Sequence, residues 1–129
     1  MAKILLVEED PLHASVRKAI LERRYSDVWR VSDAAEALGL LEQRRFARDV
    51  RLVITSDQHS GIGLAGFVSE LQNRMPLLPI LVVGEYKKSY GDLSGLPVEF
   101  LNRPVAADDL LNAVSQIMQT WKQPQLKTA

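Results

Sequence analysis

Glu8, Glu9 and Asp10 stand in a row where the apolar run Lys3-Ile4-Leu5-Leu6-Val7 ends and Pro11 follows. Neighbouring carboxylates repel one another unless a cation or a Lys/Arg side chain neutralises them. At the C-terminal end of a parallel strand, where open α/β sheets keep their functional crevice, such a cluster reads as half of a cation site. Asp10 has a second explanation, as the N-cap of a helix with Pro11 at its first position. That leaves Glu8 and Glu9 as the metal candidates.

The elements that must position them alternate along the chain. Ile4 to Val7 is continuously apolar, as expected of a strand covered on both faces. Leu12, Val16 and Ile20 follow at helical spacing. Val28 to Val31 is a short second strand, and Ser32 or Asp33 caps a helix carrying Ala34, Leu38 and Leu41. Leu52-Val53-Ile54 is the third strand. Leu64, Phe67, Val68 and Leu71 then form an amphipathic stripe. Ile80 to Val83 is the fourth strand and Val98 to Leu101 the fifth. Leu110, Val114, Ile117 and Trp121 mark the last helix, with Asp108 and Asp109 in its first turn where the helix dipole favours acids. This alternation predicts a doubly wound, five-stranded parallel α/β sheet with right-handed crossovers. Gly91, Gly95 and Pro97, between Val83 and Val98, leave room for only a shortened fourth helix. One domain is expected over 1–121, with a polar, flexible tail over 122–129.

Composition removes several function classes. Sixteen basic and sixteen acidic residues in 129 give zero net charge, so no global field draws nucleic acid or an anionic membrane. Without cysteine there is no disulfide, thiolate zinc site or cysteine nucleophile. No apolar run matches a membrane span and no signal-peptide pattern opens the chain, so a cytoplasmic location is expected.

Two stretches together carry a family resemblance. Ile4-Leu5-Leu6-Val7-Glu8-Glu9-Asp10-Pro11 resembles the first strand and acidic pair of response regulator receiver domains, and Phe100-Leu101-Asn102-Arg103-Pro104 resembles their aromatic-Leu-x-Lys-Pro stretch. The resemblance covers roughly residues 2 to 120 and implies the flavodoxin-like receiver fold with strand order 2-1-3-4-5. It also implies a cis Arg103-Pro104 bond. In that family a kinase histidine passes a phosphoryl group to an aspartate at the end of strand three, with Mg²⁺ held by hard oxygens. A Lys balances the acyl phosphate, a Ser/Thr on strand four bonds its oxygens, and an aromatic on strand five reports the change.

This chain departs from that pattern at most positions. Ungapped counting from Arg51 into the Leu64 stripe puts Ser56 at the phosphoacceptor position, and a serine cannot form an acyl phosphate. Glu9 replaces an Asp and displaces its oxygen by about one bond length, ~1.5 Å, which Mg²⁺ tolerates poorly. Gly84 stands for the Ser/Thr, and Phe100 keeps the aromatic switch position without a hydroxyl. Arg103 replaces the Lys with a planar fork. Asp57, one residue on, is the alternative acceptor if strand three slips. Its other role is a loop carboxylate paired with Arg103.

The remaining features have plain readings. His13 and His59 are weak ligand candidates, and Arg44, Arg45, Arg48 and Arg51 read as a solvated basic face. Tyr86 and Tyr90 could form a partner surface or pack a loop. The resemblance and its departures together imply a degenerate, non-enzymatic receiver-like module. It would require no cofactor, with Mg²⁺ at Glu8 and Glu9 weak or absent. It would bind a protein, either a histidine kinase, a downstream signalling protein or a second copy, through the face of helix four, strand five and helix five. Direct nucleic-acid and membrane binding are not expected. The alternatives are an active Mg²⁺-dependent receiver phosphorylated on Asp57, and a nucleotide-binding or enzymatic domain on the same fold. Against the latter, the first turn offers acids where a phosphate cradle would offer Gly and Ser/Thr.

Overall fold

The computed structural model describes residues 2–85 and 98–128, with side chains described as far as Thr120. The elements run β1 (Lys3–Val7), α1 (Pro11–Leu21), β2 (Val28–Val31), α2 (Ala34–Leu41), α3 (Arg44–Asp49), β3 (Val50–Ser56), α4 (Gly63–Arg74), β4 (Ile80–Gly84), β5 (Val98–Asn102) and α5 (Ala107–Thr128). All strand pairs are parallel and the sheet order is β2-β1-β3-β4-β5. Among the described residues, no helix is long and apolar enough to cross a membrane. The expected shortened fourth helix, with Tyr86 and Tyr90, lies outside the described residues, as does the side chain of Trp121.

The continuously apolar strands serve two cores at once. Leu5, Val7, Val53, Ile80 and Val82 face α2, α3 and α4, where Ala37, Leu41, Phe46, Phe67, Val68 and Leu71 meet them. Ile4, Leu6, Leu52, Ile54, Leu81 and Val83 face α1 and α5, where Leu21, Leu110, Val114 and Ile117 meet them. All four members of the Leu64 to Leu71 stripe are buried, as their spacing requires. Helix starts follow capping chemistry. Asp10 accepts from the Leu12 amide at 2.9 Å, and Asp33 accepts from the Glu36 amide at 2.8 Å while Glu36 reaches back to the Ser32 amide at 2.7 Å.

Two elements differ from the sequence expectation. The inward face of α1 is Ala14, Arg17, Ile20 and Leu21, whereas Leu12 and Val16 are exposed. The stripe expected at Leu12, Val16 and Ile20 is therefore rotated, because Arg17 turns inward to meet Glu8. Helix α3 was not expected. It forms because Phe46 drops into the core and meets Trp29 edge-on at 5.2 Å, with Lys3 Nζ 5.2 Å from the Trp29 centroid and 5.7 Å from the Phe46 centroid. Arg44, Arg45 and Arg48 consequently ride on an exposed turn. The backbone of α5 continues to Thr128 and so includes the segment 122–128.

The strand registers align one lip. Val7 pairs with Val31 and Thr55, Ser56 pairs with Val83, and Gly84 pairs with Asn102. Main-chain bonds carry the ladder one residue further, from Glu8 N to Val31 O (3.1 Å), Asp57 N to Val83 O (3.1 Å) and Arg103 N to Gly84 O (3.0 Å). Glu8, Asp57, Glu85 and Arg103 thus emerge side by side.

Phe67 is fully buried at the centre of the α4 face. Phe67→Ala is expected to cost about 3–5 kcal/mol of unfolding free energy by urea titration. A loss below about 1 kcal/mol would mean that α4 is not packed on the sheet in this way.

Candidate functional site: the acidic lip of the sheet

Glu8, Glu9 and Asp57 each have a donor supplied by the chain. Glu8 is buried and its Oε1 is bound by the Arg17 guanidinium from α1. Its Oε2 accepts from the Asp10 amide at 3.0 Å. The partners are 6% and 11% exposed, so the pair is an interior one. Removing one member of such a pair leaves a buried charge uncompensated, at a cost of about 3–5 kcal/mol. Arg30, from β2, braces the same turn through main-chain oxygens. Its guanidinium donates to Glu8 O at 2.8 and 3.2 Å and to Glu9 O at 3.4 Å.

Glu9 is exposed and turns the other way, across to the loop after β3. Its Oε1 accepts from Ser60 Oγ at 2.7 Å and Ser60 N at 3.0 Å. The Ser60 hydroxyl, then its amide, hold the Glu9 carboxyl below its ordinary value. That loop turns on Gly61 and Gly63, whose φ angles of 82° and 78° suit glycine. Asp10 stays at the helix start, with His13 Nδ1 3.2 Å from its Oδ2.

Asp57 is the buried carboxylate of the opposite wall, with a side chain 0% exposed. Its Oδ1 accepts from Arg103 at 3.0 Å and its Oδ2 from the Glu85 amide at 3.4 Å. The bond following Arg103, to Pro104, is cis. Gly84 makes room for this arrangement. A Cβ on Gly84 would lie 2.5 Å from Asp57 Cγ and 2.7 Å from its Oδ2. So the missing side chain at position 84 is space that Asp57 fills, besides being a missing hydroxyl. Ser56 is buried and its hydroxyl donates to Gln58 O at 3.3 Å. It is Asp57, one residue past the strand end, that meets Gly84 and Arg103. Phe100, on β5, is exposed.

His59 closes the floor of the β3–α4 loop. Its Nε2 lies 2.8 Å from Thr55 Oγ1 and 3.0 Å from Ser56 O, and its ring packs on Phe67 at 5.1 Å. Burial holds its pKa below the ordinary value, against the opposing pull of Ser56 O and the nearby carboxylates Glu9, Asp57 and Glu8.

A divalent ion at this lip would compete with donors already on the acids. Mg²⁺ demands near-octahedral oxygen ligands, usually with one or two carboxylates. Among the described residues, no group of three or more His, Cys, Asp or Glu side chains is placed to hold a metal. Glu8 is bonded by Arg17, Glu9 by Ser60 and Asp57 by Arg103. Sequence reasoning missed Arg17, Arg30 and the donor role of Ser60. The signal for Arg17 was present: with Ala14, Ile20 and Leu21 it makes an i, i+3, i+6, i+7 stripe beside an acid pair.

Solved structures share this architecture. The chain is similar to a response regulator receiver domain protein from Clostridium thermocellum, with a TM-score of 0.79, 22% identity, and 95% of this chain and 98% of that one covered. It is similar to the chemotaxis response regulator CheY4 of Vibrio cholerae at a TM-score of 0.76 and 23% identity, covering 91% and 98%. A probable two-component response regulator/GGDEF domain protein matches at a TM-score of 0.81 and 25% identity, over 95% of this chain and 51% of that one. No protein-family model matches the sequence, and no curated protein sequence does. The chain therefore has the fold of response regulator receiver domains.

Two expectations follow from the lip. Gly84→Ala should destabilise by about 1–3 kcal/mol through the clash with the Asp57 side chain, whose Cβ would lie 2.6 Å from the new methyl, and the loss should shrink in an Asp57→Gly background, which removes that Cβ as well. Equal losses in both backgrounds would show that Asp57 does not occupy that space.

The second concerns pH. Below the ordinary histidine value of 6.5 the unfolded chain takes up a proton that buried His59 resists, so stability falls as pH falls. The depressed Glu9 carboxyl acts lower: its contribution is complete above its ordinary 4.5 and is lost as pH drops through its folded value. His59→Gln should flatten the stability slope between roughly pH 7 and 5 and leave the lower limb intact. An unchanged upper slope in urea titrations would rule out His59 as its source.

Proposed function

We propose that this domain is a degenerate receiver-like module of a two-component or phosphorelay type system, cytoplasmic and without enzymatic turnover, that acts by phosphorylation-independent protein binding. Ser56 stands at the position counted as the phosphoacceptor's, and the nearby Asp57 serves as a structural carboxylate. The observation that carries this is the engagement of three lip acids: Glu8 by Arg17, Glu9 by Ser60 and Asp57 by Arg103. Asp57 packs against Gly84 with Oδ1 taken by Arg103, and among the described residues no three acids or histidines are grouped as metal ligands. The partner is a protein, a histidine kinase, a downstream signalling protein or a second copy, bound on the side of β5 and α5 where Phe100 is exposed.

One observation favours a second reading. The Arg103–Asp57 contact of 3.0 Å pairs a strand-five cation with a strand-three carboxylate, as an acyl phosphate would need. In an active receiver, Asp57 Oδ would attack the phosphorus of a kinase phosphohistidine. The P–O bond would form as the P–N bond breaks, and the imidazole would keep the electron pair.

Incubation with acetyl phosphate and Mg²⁺, followed by intact mass measurement, separates the two. No phosphoryl gain is expected. A gain of one phosphoryl group that disappears in Asp57→Asn would establish the second reading.

A further inference from the structure

We propose that Arg17 is the permanent counter-ion of the acidic lip, taking the electrostatic role that a divalent cation would otherwise have to fill. This deepens the proposed reading of the pocket and rests on it. Adjacent acids at a strand end need positive charge, and here the chain supplies it from helix α1. Arg17 sits on the inward face between Ala14 and Ile20, where an apolar residue would ordinarily pack. A guanidinium is accepted there because Glu8 stands opposite, itself buried. Neither charge is tolerable without the other.

The arginines also occupy the oxygens that a hard cation would seek. Arg17 takes Glu8 Oε1, and the Asp10 amide takes Glu8 Oε2. Arg30 covers the main-chain oxygens of Glu8 and Glu9. Ser60 takes Glu9 Oε1, and Arg103 takes Asp57 Oδ1. A guanidinium is a fixed, planar, always-charged donor held by its own chain, so it cannot dissociate as a bound ion does. Helix α1 and the lip are therefore locked together, and the shape of the pocket is independent of divalent cation concentration.

The test uses the whole chain without any phosphodonor, so its outcome does not depend on whether Asp57 can be phosphorylated. Melting temperatures are measured in EDTA and in millimolar Mg²⁺, and Mn²⁺ binding is followed by water-proton relaxation. The parent should melt at the same temperature in both buffers and give no relaxation enhancement. Arg17→Met, which keeps the packing volume and deletes the charge, should melt lower in EDTA and recover saturably with Mg²⁺. Arg17→Lys should remain indifferent to Mg²⁺. If Arg17→Met does not fold, the Glu8→Gln/Arg17→Met double variant replaces it, and it should fold without any Mg²⁺ response. Saturable stabilisation of the parent by Mg²⁺, or a folded Arg17→Met that gains no Mg²⁺ response, would overturn the proposal. So would a double variant that still needs Mg²⁺ or fails to fold.

Discussion

Carboxylates gathered at the ends of parallel strands must be neutralised, and that constraint organises this molecule. The sheet order brings β1 beside β3, and the registers bring Glu8 and Asp57 out at one lip. The low dielectric around Glu8 makes its charge expensive unless it is compensated. Helix α1 answers by turning Arg17 inward, which exposes Leu12 and Val16. On the other wall, Arg103 answers Asp57, and Gly84 leaves the space in which that pair sits. The orientation of a helix, the identity of a strand-end glycine and the direction of a loop all follow from where charge must be balanced.

The sequence is most legible where burial alone decides structure. Five apolar runs become five strands, and the Leu64, Phe67, Val68, Leu71 spacing becomes the buried face of α4. It is least legible where electrostatics or local chain direction competes. The spacing of Leu12 and Val16 imitates a core stripe, yet the face turned inward carries Ala14, Ile20 and Leu21 with Arg17, which meets Glu8. Ungapped counting favours Ser56 over Asp57. Strand β3 ends at Ser56, and Asp57, carried one step further by its amide bond to Val83 O, is the residue that meets Arg103, a pairing that counting along one strand cannot supply. Helix α3 depended on a single anchor, Phe46, amid arginines, and one aromatic makes no period.

Fold and function separate at this site. The receiver architecture is shared with solved structures at 22 to 25% identity, but a fold places residues without dictating their chemistry. Here Arg17, Ser60 and Arg103 each hold one acid.

The central claim is that Glu8, Glu9 and Asp57 are each occupied by a donor from the chain itself. The most direct measurement is the side-chain carboxyl ¹³C NMR signal of all three, recorded while Mg²⁺ is titrated into the protein at neutral pH. The account predicts three carboxyl resonances that do not move as Mg²⁺ rises through the millimolar range. Concerted, saturable shifts of Glu8, Glu9 and Asp57 would contradict it, because they would place one cation among acids that the structure gives to separate donors.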